Sequence, residues 1–217
     1  MSQADLSKPI LYGADYSVYV RIARLVLVEK QVDYELVPVD VFAEGGPPAQ
    51  YLERQPFGRI PAFEHDGFRI YETAAITRYV DEAFPGPTLQ PAEPCPRALM
   101  NQILGIVDSY AYRTLVWDLY VETVSKPRDG GKTDEARVAR ALPVAETCLA
   151  ELARLKRHGE WLLGDAVTLA DLYLAPVFGY FEKAAMAAPM LARHPALAAW
   201  WERVKGRESI RTTEPTI

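Results

Sequence analysis

The sequence predicts an α/β unit ordered β-α-β-α-β-β-α, followed by an all-helical bundle. Three observations carry this. Strand and helix periods alternate over about the first eighty residues, a proline-rich stretch interrupts them, and only helical periods follow. The interruption, "FPGPTLQPAEPCPR" from Phe84 to Arg97, holds five prolines in fourteen residues. That composition suits a stiff, extended connector rather than a packed element. The expected boundaries are therefore 1–84 for the α/β domain, 85–97 for the linker and 98–217 for the all-α domain.

Pro9 to Tyr12 reads as a short strand, and a helix follows over roughly Ser17 to Lys30. "VDYELVPVD", Val32 to Asp40, is rich in β-branched residues and reads as a second strand. The loop "AEGGPPAQ" then leads to a short helix near Gln50 to Arg54. In "IPAFEHDGFRIY" two strand runs flank Asp66-Gly67, a dipeptide that tolerates the positive φ angles of a tight hairpin turn. A helix from about Glu72 to Ala83 closes the unit. The strand–helix–strand opening implies a parallel pair joined by a right-handed crossover, and the hairpin adds an antiparallel edge.

Beyond the linker, Ile103, Ile106, Tyr110, Trp117, Tyr120 and Val124 step by threes, fours and sevens, as one face of a long helix. Val138, Ala141, Ala145, Cys148, Leu152 and Leu155 mark a second helix, with the solvated turn "SKPRDGGKTD" between the two. Further helices open at "VTLADLYLAP" and "HPALAAWWERVK", which completes a bundle.

Composition excludes several functions. A hydrophobic fraction of 49% with 24% charged residues suits a soluble globular chain with a sizeable core. The net charge of −5, with both signs interspersed, lacks the basic stripe of a nucleic-acid binder. No apolar run approaches the ~18 residues of a membrane span. "MSQADLSKPILYG" lacks the basic start and apolar stretch of a signal peptide, so a cytoplasmic protein is expected. Cys95 and Cys148 cannot build a disulfide framework. With the scattered His65, His158 and His194 they form no spaced metal site, and no metal is expected.

Four segments bear on chemistry. "VTLADL" combines an N-cap Thr168, a reciprocating Asp171 and the staple pair Val167 and Leu172, a structural helix start. "YETAAITRYV" sets Glu72 and Thr73 at a helix N-terminus, where amides and the dipole attract carboxylates. There Thr73 is either a plain cap or a ligand-binding group, with Glu72 facing an ammonium. In "LYGADYSVYVR" Ser17 is either an N-cap or a hydroxyl placed where helix amides stabilise a thiolate. In "QPFGRIPAF" Pro61 stands at the mouth of a strand run; lacking an amide, it belongs at an edge, a first strand position or a bulge.

In this order the segments resemble the cytosolic glutathione transferase family over nearly the whole chain. "QPFGRIPAF" is similar to that family's N-P-F-G-x-[IV]-P-A segment, "YETAAI" to its E-S-x-A-I segment, and "TLADLYLAP" to its S-x-A-D-x-x-x-x-P segment. "YSVYVRIARLVLVEKQVDYELVPVD" resembles the first helix and second strand of serine-type bacterial and plant members, phi- or theta-like. The resemblance implies a thioredoxin-like N-terminal domain, a detoxification role and glutathione as co-substrate. It implies a cis bond before Pro61 that turns the Ile60 amide and carbonyl outward to the cysteinyl backbone of glutathione. Glu72 and Thr73 would bind the γ-glutamyl end, Arg59 would flank the peptide, and Ser17 would donate to the sulfur, with Tyr12 as the rival donor. Lowering the thiol pKa from about 8.5 by about two units is worth roughly 3 kcal/mol and makes the thiolate dominant at neutral pH. Tyr16, Tyr110, Arg113 and Trp117 would line a pocket between the domains for a small hydrophobic electrophile. Relatives are mostly twofold homodimers, and an isologous dimer is expected.

The chain departs from the family pattern at three places. The loop "FAEGGPPAQ" lacks the His or Lys that relatives often use to hold the glycyl carboxylate. No cysteine lies at or next to Ser17, against a thiol-reductase branch. Ser17, Val18 and Tyr19 stand where the maleylacetoacetate isomerase branch has Ser-Ser-Cys. The alternatives are a non-catalytic dimerisation or regulatory module of the same fold and a glutathione-dependent reductase or peroxidase.

Overall fold

In the computed structural model, which describes residues 8–215, the first strand is the hub of the α/β unit. The stretch read above for a leader falls largely outside the described residues. β1 (Ile10–Tyr12) pairs parallel with β2 (Glu35–Val37) and antiparallel with β3 (Ala62–His65). β3 pairs antiparallel with β4 (Phe68–Tyr71), so the sheet order is β2-β1-β3-β4. Asp66 and Gly67 take φ of 50° and 78°, the positive pair a tight hairpin turn requires.

β2 is shorter than the predicted run Val32 to Asp40. At its start, Gln31 takes φ 56° and the Val32 amide closes on the Leu27 carbonyl at 2.9 Å, so these residues finish the preceding helix. At its end Pro38 has no amide to give, although Val39 still donates to the Gly13 carbonyl at 3.3 Å.

Side chains alternate between the two faces of the sheet. Leu11 and Phe63 sit opposite each other and are buried on one face; the Phe63 ring meets Tyr79 of α3 (Thr73–Ala83) at 6.0 Å. α1 (Val18–Glu29) packs against α3. On the other face Tyr12, Ile60 and Ala62 gather with Val39, Val41 and Tyr51, the last carried by α2 (Ala49–Leu52). α1 buries Val18, Val20, Ile22, Leu25, Val26 and Leu27, each worth about 1.5–3 kcal/mol of transfer free energy. At its end the Lys30 ammonium is buried against Asp81 at 3.2 Å, and it also donates to the carbonyls of Asp81 (2.9 Å) and Pro87 (3.0 Å). All three ammonium donors are thus engaged.

The chain separates into two units: the described residues through Thr88 together with those from Glu208 on, and Leu89–Arg207. The return of the C-terminal segment to the first unit departs from the expectation that 98–217 forms one helical domain. Its cause is polar. The buried Arg21 of α1 donates to the Ile210 carbonyl at 2.9 Å and pairs with Glu214, beside α10 (Glu208–Thr212), and Ser209 donates to Glu29. Hydrophobic periodicity carries no trace of such a clasp.

In the second unit α4 (Pro94–Ile106) starts inside the predicted linker. Pro94 and Pro96 stand in its first turn, where a missing amide costs nothing. α4 runs on into a π-type stretch, Val107–Ser125, after which the Lys126 amide donates to the Val121 carbonyl five residues back. α5 (Lys126–Arg128) is a single turn. α6 (Glu135–Leu155) buries all six residues of its predicted stripe. α7 (Leu169–Phe181) is buried at every position and packs against the π stretch and α9 (Pro195–Lys205), with α8 (Ala187–Leu191) before α9. The wider pitch moves the buried seam of the long helix to Ile103, Val107, Ala111, Leu115 and Leu119.

Candidate functional site

The strand order sets four segments side by side at one end of the sheet. β1 and β2 end there, β3 begins there and β4 ends there. Across the edge this gives Glu72 and Thr73 after β4, Ile60 and Pro61 before β3, Gly13 to Ser17 after β1, and Asp40 to Phe42 after β2. Neighbouring strands are about 4.8 Å apart. The first-unit residues tied above to glutathione lie along this line.

Ser17 is the N-cap of α1, with φ −74° and ψ 127°. Its amide donates to the Ala14 carbonyl at 3.1 Å, and its carbonyl accepts from Arg21 at 2.9 Å. Its hydroxyl accepts from the Val20 amide at a long 3.4 Å, which leaves the hydroxyl proton to donate elsewhere. The first turn of α1 carries no acidic residue, so its positive dipole end is uncompensated. Gly13 brings the loop this close: a Cβ there would lie 2.3 Å from a Val20 methyl. Tyr12, the rival donor, is engaged on the α2 side of the sheet, with the Arg54 guanidinium 4.8 Å above its ring and Tyr51 at 6.3 Å.

The Ile60–Pro61 bond is cis. The residue before it is held at both backbone groups. The Arg59 amide donates to the side-chain oxygen of the buried Gln55 at 3.2 Å, and its carbonyl accepts from the Tyr51 hydroxyl at 2.6 Å. Burial pushes the Tyr51 phenol well above its usual range, so it stays a donor. Among the described residues neither the Ile60 amide nor its carbonyl has a hydrogen-bond partner. Tyr51 and Gln55 escaped the sequence reading. The only signal was their four-residue spacing, one helical turn, just ahead of the Pro56-Phe57-Gly58 turn.

Glu72 takes φ 71° and ψ 113°, a region that costs a non-glycine residue of order 1–3 kcal/mol and gathers at ligand-binding positions. Its carbonyl accepts from both Ala75 and Ile76 at 2.9 Å, and its side chain is exposed. Thr73 is 5% exposed, and its amide is among the first of α3, which have no partner inside the helix. The exposed end of the sheet thus presents amides, a carbonyl and a hydroxyl whose partners must come from outside.

Tyr16 turns toward the loop after β2. Its hydroxyl donates to Asp40 at 3.1 Å, and its ring stacks on Phe42 at 6.1 Å with 29° between planes. Burial first, then the bond to Asp40, pushes its pKa up to about 12, so it is a neutral phenol. Tyr110, Arg113 and Trp117 belong to the π stretch. At the 100° per residue of an α-helix they share a face. At roughly 4.4 residues per turn Tyr110 swings more than a quarter turn from the other two. Tyr110 is 59% exposed, the Arg113 side chain is 67% exposed and Trp117 is half-buried. Arg113 pairs with Asp118 at 3.1 Å on a cleft of about 460 Å³ that also takes in Arg137, Arg140 and Val144. Among the described residues no cluster of three or more His, Cys, Asp or Glu could hold a metal ion, and no helix is long and apolar enough to cross a membrane.

Comparison with known proteins bears directly on this geometry. Residues 11–88 match the family model for the glutathione S-transferase N-terminal domain, and residues 104–208 match that for the C-terminal domain. The chain is 29% identical over 209 residues to glutathione S-transferase F13 of Arabidopsis thaliana, covering 95% of each chain. It is 31% identical to a glutathione S-transferase of Hyoscyamus muticus, covering 91% of this chain and 93% of that one. Among solved structures, glutathione S-transferase III in its apo form superposes with a TM-score of 0.83 at 30% identity over 95% of both chains. The chain therefore belongs to the cytosolic glutathione S-transferase family and is a transferase with glutathione as its co-substrate.

Proposed function

We propose that glutathione lies along the Ile60 edge as an added strand, with its sulfur at the N-terminus of α1, and that Ser17 activates it. The observation that supports this most is the order Thr73, Ile60–Pro61, Ser17 across one end of the sheet, with hydrogen-bonding capacity left over at Thr73, at Ile60 and in the Ser17 hydroxyl proton. The γ-glutamyl carboxylate takes the Thr73 amide and hydroxyl at the positive end of α3, and Glu72 faces its ammonium. The Ile60 amide and carbonyl pair with the cysteinyl backbone, as in other strand-addition complexes, and Arg59 flanks the peptide. Ser17 then donates a hydrogen bond from its hydroxyl to the sulfur. The thiol proton leaves to solvent, and the thiolate attacks an electrophilic carbon of a small hydrophobic substrate. The C–S bond forms as the bond to the leaving group breaks, which in chlorodinitrobenzene is the C–Cl bond, with chloride released. Catalysis rests on positioning and on stabilisation of the thiolate, with no covalent enzyme intermediate.

Tyr16, Tyr110, Arg113 and Trp117 are proposed to contact the electrophile, Tyr16 through its ring since its hydroxyl serves Asp40. The enzyme acts in the cytoplasm as a twofold dimer, each first unit meeting the partner's second unit. Phe57 (70% exposed) and Phe68 (47% exposed) are apolar groups available for such an interface. The test is calorimetric titration with glutathione, followed by conjugation of chlorodinitrobenzene by wild type and Ser17→Ala. Binding with turnover that collapses in the variant supports the reading. Tight binding without turnover points to a module that has kept the fold, and full activity in Ser17→Ala with loss in Tyr12→Phe transfers the sulfur contact to Tyr12.

A further inference from the structure

A peptide that runs from Thr73 past Ile60 to a sulfur at Ser17 must place its third residue over the loop after β2, because β2 is the next strand beyond β1. From Pro38 to Pro48 that loop contains no lysine, arginine or histidine, and its charged residues are Asp40 and Glu44. Asp40 is fixed in place, one carboxylate oxygen accepting from the Phe42 amide at 2.8 Å and from the Tyr16 hydroxyl at 3.1 Å. Tyr16 and Phe42 stack beside it, and Phe42 is 68% exposed. The far end of the site is therefore an aromatic shelf with an anionic rim.

The nearby cations are set elsewhere. Arg54 lies over Tyr12, paired with Glu64 at 3.4 Å and donating to the Gln50 carbonyl at 3.1 Å. Arg59 leads into Ile60, on the β3 side of Ser17 rather than beyond it. A free carboxylate over the loop would give up water to face the Asp40 carboxylate. A primary amide there could donate to the second Asp40 oxygen and lay its plane on Phe42.

We propose that the loop after β2 selects a γ-glutamylcysteinyl thiol whose third residue ends in an amide instead of a free carboxylate. This rests on the placement of glutathione argued above, and the experiment separates the two. Full-length protein is titrated calorimetrically with glutathione and with the same tripeptide amidated at its glycine, at low and at 0.5 M salt, and kcat/KM is measured with each. Loss of an unfavourable charge contact predicts about threefold to tenfold tighter binding of the amide, shrinking at high salt. Phe42→Lys is expected to reverse the preference toward glutathione. Equal binding, or tighter binding of glutathione to wild type, overturns the proposal. A preference for glutathione that disappears in Arg59→Ala overturns it too, by giving the carboxylate to Arg59. If neither peptide binds and neither supports turnover, the proposal falls together with the placement of glutathione on this edge.

Discussion

Helices α1 and α7 each have a hydroxyl residue at the N-cap, and the two hydroxyls are used differently. At α7 Thr168 closes a circuit: its amide (2.8 Å) and hydroxyl (3.1 Å) both donate to Asp171, in a capping box. The same carboxylate takes the Leu162 amide and the Trp200 indole N–H, each at 2.8 Å. At α1 Ser17 accepts one long bond from Val20, and its proton has no recipient among the described residues. Burial raises the Asp171 pKa, and the four donors oppose that rise. The thiolate proposed for Ser17 would instead be met by an uncompensated helix end at the open edge of a sheet. A satisfied cap holds two segments together; an unsatisfied one leaves capacity for a ligand. Neighbouring polar groups decide between these outcomes, not the residue type at the cap.

The comparison breaks most visibly at Asp171. Asp171→Ala strands two buried amides and the Trp200 N–H, each worth about 1–3 kcal/mol. The expected loss is roughly 3–5 kcal/mol, or a fall in Tm of about 10 °C, read by urea and thermal denaturation. If the variant is too unstable to purify, Trp200→Phe removes one of the four bonds together with part of a fully buried ring, at a cost of about 2–3 kcal/mol. Ser17→Ala should show the opposite signature. Its stability should fall by less than about 1 kcal/mol, since the bond it loses is long. Its kcat/KM at neutral pH should fall about twentyfold to thirtyfold, the change in thiolate fraction when the thiol pKa returns from about 6.5 to about 8.5, and recover as pH rises toward the free-thiol pKa. A Ser17→Ala enzyme with an unchanged pH profile would leave the hydroxyl a cap like Thr168.

The sequence shows closed local circuits better than long-range ones. The Thr168–Asp171 box, the Asp66-Gly67 turn and the Val138 to Leu155 stripe each lie within a few turns of chain, and the structure has all three. The residues at the sheet edge were found by local cues and resemblance, and the topology does bring Ser17, Ile60, Pro61, Glu72 and Thr73 into line. Contacts made over distance were invisible. Gln55 and Tyr51 hold Arg59 through hydrogen bonds that leave no period in the sequence. Arg21 reads as one polar residue in an apolar helix until Ile210 and Glu214 fold against it. The residues of the long helix fit a 3.6-residue repeat as well, so nothing in their spacing marks the wider pitch the structure has.

Glu122 sharpens the contrast with a smaller effect. It is a buried carboxylate in a closed circuit, accepting from Lys126 (2.9 Å), Arg137 (2.8 Å) and the Asp134 amide (3.1 Å). The Lys126 bond above all, aided by the Asp134 amide and the charge of Arg137, lowers its pKa against the opposing push of burial. A carboxyl whose folded pKa lies below its unfolded value of about 4.3 adds stability above that pH, and the contribution is lost as pH falls through the folded pKa. Wild type should therefore lose stability on acidification below about pH 4.3. Glu122→Gln should be less stable at pH 7 by about 1 kcal/mol and show a shallower acid slope, with glutathione conjugation at neutral pH unchanged. Denaturation midpoints from pH 3 to 7 decide it. Parallel acid slopes in the two proteins would mean that this carboxylate, though surrounded by donors, holds no more than the solvent would give it.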